Sequence, residues 1–111
     1  MTINEYQQLA MRTLNPELNK KDVLINGVMG LCGESGEAID IVKKHLAQGH
    51  PLDREKLLKE LGDIAWYLAE TAYALDIPLE SILLGNRPRR CCCRGGGAPR
   101  RGDHSECSAT C

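Results

Sequence analysis

Glu34-x-x-Glu37 and Glu60-x-x-Asp63 sit inside two otherwise apolar segments, and that placement restricts what the chain can fold into. Around both pairs, apolar residues recur at spacings of three and four, the repeat of a helix face. Positions i and i+3 of a helix share a face, so each pair aims two negative charges the same way. Two such helices packed together gather four carboxylates in one place. Burying unpaired carboxylates costs several kcal/mol each unless a cation or a proton compensates. An oxygen-only donor set of that size suits a hard divalent cation such as Mg²⁺. A metal-dependent site is therefore the first expectation.

The rest of the body is helix-periodic too. Thr2 and Glu5 read as a capping box for a helix over 3–14, with Ile3, Tyr6, Leu9, Ala10 and Leu14 on its apolar face. Asn15-Pro16 ends it. A second helix is expected from about 22 to 48, with Gly49 as its stop. Pro51 and Asp53 open a third, over 53–75, carrying Leu57, Leu58, Leu61, Ile64, Ala65, Leu68, Ala72 and Leu75. Asp76-Ile77-Pro78 breaks it before a fourth helix at 79–84. No segment alternates in the manner of a strand. The expected fold class is an all-α bundle of about four helices, one domain over 1–86, completed by dimerisation.

Size and charge support that outline. A chain of 111 residues buries a limited core, so association of subunits would help stability. With no Phe and one Trp, that core is mostly aliphatic. Nothing reads as a signal peptide or an 18-residue apolar span, which points to a soluble, cytoplasmic body with no membrane contact. Residues 1–86 hold 8 Lys/Arg against 13 Asp/Glu, and an acidic body argues against nucleic-acid binding.

Gly27, Gly30, Gly33 and Gly36 repeat every three residues within the second helix. Each costs about 1 kcal/mol relative to Ala in a helix interior, so the row needs a reason. Either the segment is partly loop, or the glycines form a groove for close approach of a backbone or ligand. The neighbouring Glu34 and Glu37 favour the groove. Extending the stripes reaches Ile41 and Lys44 on one helix and Trp66, Tyr67 and Glu70 on the other. Acids for a metal, a cation for phosphate and aromatic surface for a base suit a nucleoside phosphate bridged by Mg²⁺. A carboxylate not used in coordination can serve as general base. A di-iron carboxylate bundle is the rival, but it needs Glu-x-x-His, which His45 and His50 do not supply. Cys32, alone in the body, reads as a buried inert thiol.

After Asn86 the composition changes. Residues 87–111 hold 6 Arg and 5 of the 6 cysteines among Gly and Pro, with no apolar period. Such a segment reads as disordered. Its cysteines lack a C-x-x-C and leave His104 alone, a poor zinc pattern. The Arg101-Gly102-Asp103 tripeptide carries no weight in so biased a stretch.

Gly30-Leu31-Cys32-Gly33-Glu34-Ser35-Gly36-Glu37-Ala38-Ile39-Asp40, then Lys43-Lys44-His45, then Lys59-Glu60-Leu61-Gly62-Asp63-Ile64-Ala65-Trp66-Tyr67-Leu68 together resemble the MazG-like branch of the all-α nucleoside triphosphate pyrophosphohydrolases. That superfamily also includes dimeric dUTPases, dCTP pyrophosphatases and phosphoribosyl-ATP pyrophosphatases. The resemblance covers roughly residues 3–86 and does not choose a substrate. It implies hydrolysis of a (deoxy)nucleoside triphosphate to monophosphate and pyrophosphate by a metal-activated water. Mg²⁺, with Mn²⁺ as a substitute, would be held by Glu34, Glu37, Glu60 and Asp63. A homodimer or dimer of dimers is implied, with Tyr67 at the nucleotide and the first helix closing the base pocket. Lys44, favoured over Lys43, Trp66 and Asn86 complete the candidate substrate contacts.

The resemblance breaks where the fourth helix should continue as Asn-x-x-Lys-Leu-x-x-Arg-Tyr-Pro. Asn86 is followed by Arg87-Pro88-Arg89-Arg90, and Pro88 would interrupt a helix there. Arg89 stands where the Lys would be. The Arg/Gly/Pro/Cys bias motivates the hypothesis that 87–111 is a frameshifted or artefactual extension. Resequencing the gene tests it, and the idea fails if neither alternative frame encodes a family-like helix. A phosphoribosyl-ATP pyrophosphatase-type enzyme, and a catalytically inactive helical dimerisation module, stand as the alternatives.

Overall fold

The computed structural model describes residues 1–85, and the expectations for Asn86 and for 87–111 fall outside the described residues. Four helices follow in order: α1 (Ile3–Met11), α2 (Lys20–Gln48), α3 (Arg54–Ala74) and α4 (Leu79–Gly85). No strand forms among the described residues, so the body is all-α. None of these helices is long and apolar enough to cross a membrane.

Local chemistry sets the helix ends. The Thr2 side chain accepts from the Glu5 N–H at 3.1 Å while Glu5 accepts from the Thr2 N–H at 3.0 Å, the expected capping box. Asn19 caps α2 by accepting from Asp22 N–H at 2.9 Å, which starts the helix two residues before the Asp22 that the sequence suggested. Asp53 caps α3 through the Lys56 N–H at 3.1 Å. Gly49 ends α2 in the left-handed conformation at φ 69°, where a side chain would be strained.

α1 stops at Met11 rather than at residue 14. Arg12, Thr13 and Leu14 instead donate their N–H groups three residues back, a tightened last turn. The Ala10 carbonyl also accepts from the Thr13 hydroxyl at 2.7 Å and from the Trp66 indole N–H at 3.2 Å. With that carbonyl so engaged, the next helical hydrogen bond is not made.

α2 and α3 form the longest contact, side by side, while α1 and α4 cover the C-terminal half of α3. Ala10, Ala69, Ala72 and Leu79 make the buried core, flanked by Tyr6, Met11, Trp66, Leu68 and Ile82. Gln7 binds the sequence-distant segments together. Its amide donates to the Ala69 and Ile77 carbonyls and accepts from the Leu79 N–H at 2.8 Å.

This core is small, and much of the expected apolar face lies outside it. Leu58 is 65% exposed and Leu61 49%, because α1 and α4 reach only the C-terminal half of α3. Cys32 is exposed, contrary to expectation. It falls on a second α2 stripe with Ile25, Met29 and Ile39, directed away from α3 and uncovered.

Candidate functional site

The glycine row divides in two. A Cβ on Gly30 would overlap the Tyr67 ring, and one on Gly27 would overlap the Thr71 hydroxyl and lie 3.2 Å from its backbone nitrogen. These two glycines let α3 close onto α2, as the groove reading requires. Gly33 and Gly36 have nothing within 4 Å and play no such part. One turn past Gly30, that closeness brings the acids of both helices together.

Glu34, Glu37 and Glu60 each offer a carboxylate oxygen, and these atoms lie within 4.8 Å of one another. Glu60 is buried and its Oε2 has no hydrogen-bond partner. Glu34 is half-buried. A hydrogen bond with Glu60, reinforced by desolvation and by the charges of Glu37, Asp63 and Glu60, raises its carboxyl above the usual value of 4.5. Like charges gathered this closely disfavour full ionisation of the cluster. Oxygens around an Mg²⁺ ion sit about 2.0–2.1 Å from it, within roughly 4.2 Å of each other. The donor chemistry and the orphaned Glu60 oxygen both fit such an ion, which would relieve the repulsion among these acids.

Asp63 stands slightly apart. Its Oδ2 accepts from Lys59 Nζ at 3.0 Å, an exposed i,i+4 pair. The bond to Asp63, then the charges of Asp63, Glu60 and Glu34, raise the Lys59 pKa. Lys59 is thus the cation facing the acids, and sequence reasoning missed it although the Lys-x-x-x-Asp spacing was visible. Lys43 and Lys44 are exposed on the last turns of α2 and line no cavity with the carboxylates.

Beside the acids, Glu34, Asp63, Trp66 and Tyr67 line an open cavity of about 360 Å³. Trp66 and Tyr67 meet edge to face with centroids 5.1 Å apart. The Trp66 N–H is committed to α1, donating to Ala10 O and to Thr13 Oγ1 at 3.0 Å, so the indole presents only its apolar surface. Tyr6 of α1 approaches the same place. Burial first, then the charge of Asp63, raises its phenol pKa. A larger hollow of about 530 Å³ lies at the other end of α3, among Asn4, Gln7, Tyr73 and Pro78. Its one carboxylate, Asp76, is already paired with Lys20 at 2.6 Å.

Among known proteins, this chain is similar to the Gene 37 protein of Mycobacterium phage L5, 40% identical over 62 residues. The similarity covers 52% of this chain and 54% of that protein, so the chain spans about half the length of the curated relative it matches. No family model matches the chain. No solved structure matches it either.

Proposed function

We propose that this chain is an Mg²⁺-dependent nucleotide pyrophosphohydrolase, converting a (deoxy)nucleoside triphosphate to its monophosphate and pyrophosphate. One observation carries the reading: three carboxylates from two helices converge beside an aromatic-walled cavity, with a buried Glu60 oxygen left without a partner. Glu34, Glu37 and Glu60 would hold the ion, and Asp63 is near enough in the same cavity wall to join them. Mg²⁺ bound there would polarise a phosphoryl group and acidify a water. Asp63, outside the tight cluster and bonded to Lys59, would instead take the proton of an attacking water where the three glutamates alone hold the ion. Lys59 places positive charge where phosphate charge would lie. Tyr67, Trp66 and Tyr6 offer ring surface to a base, and Lys43 and Lys44 are left to outer phosphate contacts.

The exposed stripe of Ile25, Met29 and Ile39, with Leu58 and Leu61 on α3, supports a homodimer as the working form. The same stripe favours the competing reading, a helical association module without catalysis.

Pyrophosphate release from a panel of dNTPs, with and without Mg²⁺, separates the two. Metal-dependent release abolished by Glu37→Gln and by Asp63→Asn is the expected result. Activity surviving both substitutions refutes the site. No release from any nucleotide by a chain that is helical by circular dichroism favours the module.

A further inference from the structure

Glu70 is buried completely, at 0% exposure, and neither the carboxylate cluster nor the cavity uses it. One oxygen accepts from Asn26 Nδ2 of α2 at 2.8 Å, and the other, Oε2, has no partner. Holding a carboxylate there costs free energy that a leucine would not. Such a group is retained for what its direction specifies rather than for stability.

What it can specify follows from its place. Glu60, Asp63, Tyr67 and Glu70 run along one face of α3, opposite Glu34, Gly30 and Asn26 of α2. Elsewhere this interface is Val23, Gly27 and Gly30 of α2 with Tyr67 and Thr71 of α3, and the Thr71 hydroxyl is spent on the Tyr67 carbonyl of its own helix, so these contacts have little direction. Lys20 bonds to Tyr73 O only at the far end of α2. Apart from the acids themselves, Asn26–Glu70 is the one side-chain hydrogen bond along the body of this interface among the described residues. A slip of one helical turn moves α2 by about 5.4 Å along α3, more than the 4.8 Å that spans the three converging carboxylates.

We propose that Asn26, at the exposed margin of α2, and the buried Glu70 form a polar pin that fixes the register of α2 on α3, making Glu70 a positioning residue for the carboxylate site. Its link to catalysis rests on the function proposed above; its link to register does not. The pin sits nearly three turns from Glu60 on α3 and a little over two turns from Glu34 on α2. It touches neither cluster nor cavity and acts only through helix alignment.

Three variants of the full chain test this: Glu70→Leu, Asn26→Leu and Glu70→Gln, the last of which keeps an acceptor for Asn26 Nδ2. The first readout is the NMR contact between the Gly30 Hα and Tyr67 ring protons. The second is Mn²⁺ affinity, and the third is thermal unfolding. Glu70→Leu is expected to unfold at the same or a higher temperature, to lose the Gly30–Tyr67 contact or split it among several states, and to bind Mn²⁺ about tenfold more weakly or worse. Asn26→Leu should lose the contact and the affinity alike but unfold at a lower temperature, because it strands both Glu70 oxygens, with no further loss of affinity in the double variant, and Glu70→Gln should restore the contact and the affinity. A side chain that merely packed would lower the unfolding temperature and leave the contact single. Retention of one intact Gly30–Tyr67 contact in Glu70→Leu overturns the pin. If the parent chain itself binds no Mn²⁺, the metal reading falls, and the NMR contact still decides the register.

Discussion

Replacing Gly30 and Gly33 by Ala, one at a time, should move stability in opposite directions although both lie within the same helix. The intrinsic term is shared: Ala in a helix interior is favoured over Gly by about 1 kcal/mol, partly through the unfolded chain. At Gly33 nothing lies within 4 Å of the added methyl, so Gly33→Ala should gain about 0.5–1 kcal/mol. At Gly30 the methyl would overlap the Tyr67 ring. That ring cannot swing aside freely, because it packs edge to face on Trp66 at 5.1 Å, and Trp66 is held by two hydrogen bonds to α1. Overpacking of this kind costs about 1–3 kcal/mol, which leaves Gly30→Ala between neutral and roughly 2 kcal/mol less stable. Near 4–8 °C per kcal/mol for a domain of this size, the two variants should melt several degrees apart. Urea unfolding followed by circular dichroism, together with thermal melts, measures both. If Gly30→Ala proves as stable as Gly33→Ala, the close approach of α3 to α2 is wrong, and the convergence of the acids loses its support.

Four further outcomes follow. Glu60→Gln removes a buried charge facing Glu34, so the metal-free chain should melt higher while Mn²⁺ affinity falls by about tenfold or more in calorimetry; unchanged affinity would remove Glu60 from the ligand set. Glu34 has a raised pKa in the folded state, so its contribution is full below the ordinary 4.5 and is lost as pH rises through the raised value. The metal-free chain should accordingly lose melting temperature as pH rises from about 4.5 more steeply than Glu34→Gln does, and equal slopes would contradict the upward shift of Glu34. Thr2→Ala breaks the capping box and should cost about 1 kcal/mol in urea unfolding, with no change in metal affinity. Met29→Glu puts a charge into the exposed α2 stripe, and sedimentation should show the parent dimer shifted toward monomer; a parent that sediments as monomer at all concentrations would end the dimer reading.

What could be read from the residues alone depended on how local its cause is. Thr2, Asn19, Asp53 and Gly49 act within one turn of themselves, and the helix limits they set were legible to within two or three residues. The convergence of Glu34 and Glu37 with Glu60 was legible as well, because helical spacing fixes which side chains share a face. The Lys59–Asp63 pair was equally local and simply overlooked among the acids. Glu70 was different. Its i+3 and i+7 relation to Tyr67 and Asp63 put it on the right face, but only the packing of α2 on α3, with Asn26 bonded to it, makes it a buried group rather than a solvated one. The burial of Cys32 failed for the same reason. α2 carries apolar residues on two stripes, and only the glycines facing Tyr67 and Thr71 decide which stripe meets α3.

The fold and the candidate site therefore share one cause. Five large α2 residues, Ile25, Val28, Met29, Ile39 and Leu46, stay exposed while the α3-facing side offers Gly27 and Gly30. Burying the large side chains within the monomer would gain roughly 1.5–3 kcal/mol each, so the observed choice gives up stability in a single subunit. What it gains is a short distance between helix axes, since two glycines admit Tyr67 and Thr71 where any other residue would hold them off. That short distance is what allows carboxylates on separate helices to come within 4.8 Å of one another. A leucine at position 30 would make a better monomer core and would force Glu34 away from Glu60. The repulsion between those acids is then a stored cost that the proposed divalent ion would relieve.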